Sequence, residues 1–157
     1  MIVRDSTWQK KLDDEVKKFL AKPPIKLNGN KKTIPEAPGV YMFSSEDDSD
    51  CYYVGKARDI KGRIFNGHLT RSKRKTKDGI IRDYYYKAPL KNSLLGWSNV
   101  GISEENPECS NEDEAHNLLL NKLNFRWIEI DNSRFRGMFE YYLTSVLNAK
   151  HSIDKDE

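Results

Sequence analysis

Trp8, Leu12, Val16, Phe19 and Leu20 recur at steps close to the helical period, and Pro23-Pro24 end the series. The spacing predicts an opening helix near residues 6–21, with Ser6 as its N-cap. Residues 22–36 carry Pro, Gly, Asn and Lys and read as a loop, with a turn at Asn28-Gly29-Asn30. Two strand-like runs follow at 39–44 and 51–56, joined by an acidic polar stretch, Glu46-Asp47-Asp48-Ser49-Asp50, that reads as a hairpin loop. Lys56 to His68 reads as a short polar helix or helical turn with Ile60 and Ile64 on its inner face. Residues 70–91 are dominated by charge and tyrosine and carry no assignable period. Asn111 or Ser110 can cap a helix whose first turn, Glu112-Asp113-Glu114, suits the positive end of the helix dipole, and Leu118, Leu119, Leu120 and Leu123 supply its apolar side. Residues 125–131 alternate as a strand does. Ser133 then caps a last helix with Phe135, Met138, Phe139, Tyr142, Leu143, Val146 and Leu147 on its apolar face. The expected fold class is α+β: a small central antiparallel sheet built from 39–44, 51–56 and 125–131, flanked by helices.

Composition narrows the class. At 157 residues, 37% apolar and 32% charged, the chain reads as one polar globular domain. No stretch approaches the roughly 18 uninterrupted apolar residues of a membrane span. The segment Met1 to Trp8 lacks the apolar run of a signal peptide. Cys51 and Cys109 form no metal or redox spacing and read as free thiols in a reducing, cytoplasmic compartment. The net charge of +3 says little, but its distribution says more. Acidic residues gather at 46–50 and 104–114 and basic ones between Lys56 and Lys91, which points to a polyanion-facing side. Arg71, Lys73, Arg74, Lys75 and Lys77, extended by Arg82, Lys87 and Lys91, would contact phosphates and make binding salt-dependent. Tyr84, Tyr85 and Tyr86 interleave aromatics that pack or touch bases, whereas Trp97 reads as packing.

The candidate chemistry lies in an ordered series. Gly39-Val40-Tyr41 opens one strand, Tyr53-Val54-Gly55-Lys56-Ala57 closes the next, and Arg63, His68 and Glu140 follow. Phosphodiester hydrolysis needs an activated water, counter-charge for the in-line transition state and a metal to neutralise oxygens. Arg63 offers a planar, permanently charged fork to a phosphate. Glu140 is a hard oxygen ligand suited to magnesium. A tyrosine serves as base if its pKa falls well below about 10, which requires a nearby cation such as Lys56 or the metal. By strand alternation Tyr52 faces away from Tyr53 and reads as packing. Gly39 and Gly55 fit either strand ends or a close backbone approach at a site. His116 and His151 have no partner at metal spacing and are expected to face solvent.

This series resembles the GIY-YIG nuclease family. Eleven residues separate the two triplets, and Arg63 lies eight residues after Gly55, both as the family has them. The resemblance implies a metal-dependent DNA endonuclease with magnesium, or manganese as a substitute, and with Tyr41, Tyr53, Lys56, Arg63, His68 and Glu140 as its site. Glu140 would hold the metal. One tyrosine would act as base, with Tyr53 favoured, and the other would position it. Sliding the family's acidic helix onto Glu112 or Glu114 puts Asn117 or Leu118, neither of which replaces a carboxylate, at the metal position, which favours Glu140 over that alternative. Two features depart from the family. His68 comes five residues after Arg63 where four is usual, an excess that Gly67 could absorb by ending the helix. Ser152 stands where a late asparagine is usual, and Asn148 comes too early for it. The expected arrangement is one endonuclease domain over 1–157: an N-terminal helical extension (1–36), the motif core (37–69), a DNA-contacting insertion (70–124) and the last strand with the glutamate-bearing helix (125–157). The length of the chain favours a compact restriction-type enzyme cutting double-stranded DNA, as a homodimer where both strands are cut. Excision-repair, intron-homing and junction-cleaving members usually carry further domains. The rival from another class is a DNA-binding module on the same fold without catalysis.

Overall fold

The computed structural model describes residues 1–71, 87–98, 101–102 and 107–152, with the side chains of 97, 98, 101 and 102 excepted. Three strands form the central sheet: β1 (Gly39–Ser44), β2 (Cys51–Ala57) and β5 (Asn124–Glu129). Their order is β2-β1-β5, and both pairings are antiparallel. A short ribbon pairs β3 (Trp97–Ser98) with β4 (Gly101–Ile102). The helices are α1 (Thr7–Ala21), α2 (Ile60–Arg63), α3 (Pro89–Leu94), α4 (Glu112–Asn117) and α5 (Ser133–Val146). The expected α+β class with a three-stranded antiparallel sheet is what forms. The strand expected at 125–131 runs from Asn124 to Glu129.

The central strand β1 is buried on both faces, so its alternation sorts two cores. Tyr41 and Phe43 face Leu27, Ile60, Ile64, Leu90, Leu94, Leu119 and Phe125. Val40 and Met42 face the opposite layer, with Val54, Leu12 and Phe19 of α1 and Phe139 and Leu143 of α5. Ile60 and Ile64 are fully buried, as their inward reading expected.

Local chemistry sets the ends of the elements. The Asp5 carboxylate, not the Ser6 hydroxyl, accepts the Thr7 N–H at the start of α1. Asn132 rather than Ser133 caps α5, its side chain accepting from Phe135 N–H. Asn111 caps α4 by accepting from Glu114 N–H, and the Glu114 carboxylate reaches back to Ser110 N–H. The first bond satisfies one orphan donor of the helix, and the second ties the residue before the cap to the first turn. In the β1–β2 hairpin, Asp48 sits at φ +61 and is clamped by Arg126, whose Nη1 donates to Oδ1 at 2.6 Å.

Each outer strand of the sheet is covered. Ile25 exchanges two backbone hydrogen bonds with Phe125 of β5. On β2, Lys150 N–H donates to Cys51 O at 3.1 Å and His151 N–H to Tyr52 O at 2.8 Å. Cys51 and Cys109 are free thiols, half-buried and buried. Among the described residues no helix is long and apolar enough to cross a membrane.

Candidate active site

Tyr41 and Tyr53 both project from the face of the sheet that α2 covers, and their rings lie 6.3 Å apart. Tyr41 is buried because its register partner is Gly55. A Cβ at Gly55 would stand 2.4 Å from both Cζ and Oη of Tyr41, so the phenol occupies the space a side chain would need. A Cβ at Gly39 would meet Ile128 O at 2.1 Å. Both glycines therefore answer to close approach rather than to strand ends alone.

Beyond the sheet, Asp59 accepts from Gly62 N–H and starts α2, which carries Arg63. The helix then widens into a π turn over Ile64–His68, closed by a hydrogen bond from Leu69 N–H to Ile64 O at 2.9 Å. This turn holds one residue more than an α turn. It accounts for the five-residue step from Arg63 to His68. Gly67 does not end the helix there; it sits inside the wide turn. His68 is fully buried, and its Nε2 lies 2.8 Å from the Tyr41 hydroxyl. Its ring stands 5.0 Å from that of Tyr53. Its Nδ1 is buried without a hydrogen-bond partner.

Electrostatics bind these groups together. Burial, helped by the neighbouring Tyr53 and Glu140, pushes the Tyr41 phenol well above its usual value, and Arg63 opposes the shift. Tyr53 is raised by burial and by Glu140, again against Arg63. His68 is held well below its usual value by burial, then by Arg63 and Lys91, so it is neutral. Arg63 and Glu140 thus act on both phenols from opposite sides of the charge scale. Arg63 is itself anchored, its Nη1 donating to Lys87 O at 2.8 Å. Glu140 comes from α5, which packs along β2, and is half-buried.

Of the expected site, Tyr41, Tyr53, Arg63 and His68 gather in one place, and Glu140 of α5 acts on both phenols through its charge. Lys56 does not face the phenols. It pairs with Val40 on the opposite face of the sheet and is exposed, and its Nζ would lie 3.5 Å from a Cβ on Gly137, one turn before Glu140. The cation beside Tyr53 is Arg63. Of the expected DNA contacts, Arg71 is exposed and paired with Asp113. Lys73, Arg74, Lys75, Lys77 and Arg82 lie outside the described residues, as do Tyr84, Tyr85, Tyr86 and the side chain of Trp97. Tyr52 packs against the core edge, its ring 5.3 Å from that of His151, and burial with Glu108 beside it pushes its phenol up to about 12.

The two other histidines do not face solvent freely. His151 Nδ1 lies 2.8 Å from Ser93 Oγ and its Nε2 3.1 Å from Glu108. His116 Nδ1 accepts from the Lys91 ammonium at 3.0 Å, and burial with Lys91 beside it pulls His116 down to about 4. Lys91, read as a surface cation, is fully buried; it donates to Thr70 O at 3.0 Å, just past the His68 turn, and burial brings it down to about 8. Only its place between Pro89-Leu90 and Leu94-Leu95 hinted at this. Ser152 keeps a role near the site, its hydroxyl oxygen accepting from Val54 N–H at 3.3 Å.

Residues 37–152, well over half of the chain, match the GIY-YIG catalytic domain. The chain belongs to the GIY-YIG family and is an endonuclease domain, a phosphodiester hydrolase. Curated relatives include the UvrABC system protein C of Brucella suis biovar 1 (strain 1330), 36% identical over 75 residues, and that of Brucella abortus biovar 1 (strain 9-941), 34% identical over 87 residues. These stretches cover 44% and 52% of this chain but 12% and 13% of those proteins. Among solved structures, two point mutants of the GIY-YIG N-terminal endonuclease domain of UvrC from Thermotoga maritima, each bound to its catalytic divalent cation, overlap loosely. The first has TM-score 0.39 and 17% identity and covers 80% of this chain and 92% of that one. The second has TM-score 0.38 and 16% identity and covers 96% and 100%.

Proposed function

We propose that this chain is a metal-dependent endonuclease that hydrolyses phosphodiester bonds of double-stranded DNA, with Tyr41, Tyr53, Arg63, His68 and Glu140 as its site. The carrying observation is that residues from β1, β2 and the α2 turn meet around one buried and one half-buried phenol, with a fixed guanidinium whose charge, like that of Glu140 on α5, acts on both. Arg63 stands ready to take charge from the phosphate as it develops in the transition state. His68, neutral and bonded to the Tyr41 hydroxyl, fixes that phenol's orientation. Both phenols are protonated in the free protein, because burial and Glu140 outweigh Arg63.

The donor set fits a hard divalent cation. Glu140 offers one carboxylate, and magnesium is commonly held by one or two carboxylates with waters and substrate phosphates completing the shell. Among the described residues no three His, Cys, Asp or Glu side chains form a protein cage for it. When bound, the cation would supply counter-charge to the phosphate oxygens and offset the Glu140 charge, which adds to burial in keeping the phenols protonated. Arg63 then favours the phenolate. Once its own proton has passed to solvent, or from Tyr41 to the neutral His68, either tyrosine as phenolate could accept the proton of the attacking water: Tyr53 is the less enclosed, while Tyr41 has His68 to orient it. Lys56 lies on the other face of the sheet, near α5.

The test is cleavage of a plasmid with magnesium or manganese by wild type, Arg63→Ala and Glu140→Ala. The expected loss in each variant is about 100-fold or more, the scale of removing a transition-state charge partner. Equal cutting by all three would overturn the site. No cutting of varied DNA by wild type would favour the binding module.

Among finer readings, a restriction-type enzyme rests on the segments that elaborate the motif core at 1–36 and 70–124. It predicts discrete fragments from unmodified genomic DNA. A repair reading rests on the likeness to the two Brucella proteins and predicts nicking confined to damaged duplex. One site per chain also calls for two chains, or two visits by one chain, to cut both strands. A symmetric dimer on DNA is therefore proposed, to be checked by sedimentation with and without a duplex.

A further inference from the structure

Beside Arg63 a cleft of about 290 Å³ opens at the surface, lined by Arg58, Asp59, Arg63, Asn66, Gly67 and Lys87 among others. We propose that this cleft is the subsite for a backbone phosphate next to the scissile bond, held by Arg58 and Lys87. The proposal rests on the nuclease reading and adds two residues to it.

The argument starts from the guanidinium. Arg63 spends one N–H on Lys87 O, yet a guanidinium carries five N–H donors in a fork. One side of it acts on the phenols, and it also lines the cleft. A substrate strand whose scissile phosphate sits at Arg63 therefore continues into, or out of, this cleft. Gly67 keeps that route open, since a Cβ there would stand 2.7 Å from Arg63 Nη1 and 3.2 Å from Lys87 O.

Charge agrees with the route. Three cations line the cleft against one carboxylate, Asp59, and that carboxylate accepts from Gly62 N–H at the start of α2. Arg58 and Lys87 are both exposed, and among the described residues neither side chain has a hydrogen-bond or ion-pair partner. The other cations nearby are committed: Arg71 to Asp113, and Lys91 to Thr70 O and His116. Unpaired ammonium and guanidinium groups in a concave site next to a phosphate-directed arginine are suited to a second phosphate of the same strand.

The experiment measures equilibrium binding of the wild-type chain, Arg58→Ala, Lys87→Ala and a remote control, Lys10→Ala, to one labelled duplex over a salt series without divalent cation. Steady-state cleavage with magnesium is measured beside it. Each neutralised phosphate contact contributes about 0.9 to the slope of log affinity against log salt. Arg58→Ala and Lys87→Ala are expected each to lower the slope by about that amount, to raise KM several-fold and to leave kcat within about threefold. Lys10→Ala is expected to change none of these. Wild-type slopes in both cleft variants would overturn the subsite, even if the enzyme cuts. Failure of wild type to cut would overturn the nuclease reading, while the binding slopes would still decide whether the cleft holds phosphate. A fall in kcat with unchanged KM and slope would also count against the proposal, because it would assign these side chains to shaping the site instead.

Discussion

At the scale of single residues the site depends on what Gly55 lacks. Tyr41 occupies the volume of a Gly55 side chain, 2.4 Å from where a Cβ would be. Gly55→Ala is expected to displace the phenol, break its bond to His68 and cost about 1–3 kcal/mol, the range for overpacking a core. Thermal unfolding reads the stability, and cleavage should fall far more steeply than stability does. Wild-type cleavage by Gly55→Ala would show that the Tyr41 position is not critical. The histidines give a second prediction. In the unfolded chain each titrates near 6.5, whereas folded His116 does so at about 4 and His68 well below its usual value. The unfolded state therefore binds more protons as pH falls from 6.5, so stability is full above that pH and drains away down towards about 4. Lys91, held at about 8 against the usual 10.5, works at the other end: stability should rise as pH climbs between those values. Melting temperatures across pH 4–6.5 for wild type and His116→Gln check the acid limb, which the variant should flatten. Tyr41, Tyr53 and Arg63 could be read from the sequence because their order and spacing are local. The burial of His116, His151 and Lys91 could not, because it depends on elements far along the chain. The direction of Lys56 was readable in principle: strand alternation puts it on the side away from Tyr53 and Gly55.

At the scale of elements the π turn explains how an irregular spacing still delivers a histidine to its phenol. An α turn after Arg63 would deliver the family's four-residue step; here one more residue is absorbed as a bulge, and His68 reaches Tyr41 all the same. Deleting Asn66, an exposed residue of that turn, is expected to restore the four-residue step and keep cleavage within about tenfold. Inserting an alanine there should rotate the histidine by about 100° and abolish its bond to Tyr41. Nitrogen NMR of the imidazole, read beside cleavage, checks both. Loss of activity in the deletion would mean that the bulge itself shapes the site. Periodicity revealed Ile60 and Ile64 and hence the helix, but it could not reveal the bulge, which leaves the inward residues of the turn before it unchanged. The same holds for the second π turn, Leu118–Lys122, which follows α4 and continues a helical spacing of leucines. The cap of α5 is Asn132, one residue before the expected Ser133; both are good caps, and only the backbone decides between them.

At the scale of the whole molecule, β2 carries Tyr53 and Gly55 but is the outer strand of its sheet, and the chain's late segment closes that edge. Lys150 N–H and His151 N–H donate to β2 carbonyls, Ser152 accepts from Val54 N–H, and His151 reaches on to Ser93 and Glu108. The segment thereby links the sheet, α3 and the stretch before α4. Ser152 thus offers a hydroxyl that steadies the strand beside Tyr53. A chain truncated after Ala149 loses these bonds and exposes the strand edge to other chains. With each hydrogen bond contributing about 1 kcal/mol, the loss should reach about 2–4 kcal/mol and lower the melting temperature by several degrees or more. Ser152→Ala, which removes one acceptor from a half-buried N–H, should cost about 1 kcal/mol, and Ser152→Asn should recover most of it. If the segment serves only stability, cleavage at low temperature will be unchanged in Ser152→Ala. If it also holds Tyr53 in place, kcat will fall while the fold persists, and Ser152→Asn will restore the rate. The orientation of a motif tyrosine would then depend on a residue almost a hundred positions away, a dependence that no local spacing in the sequence carries.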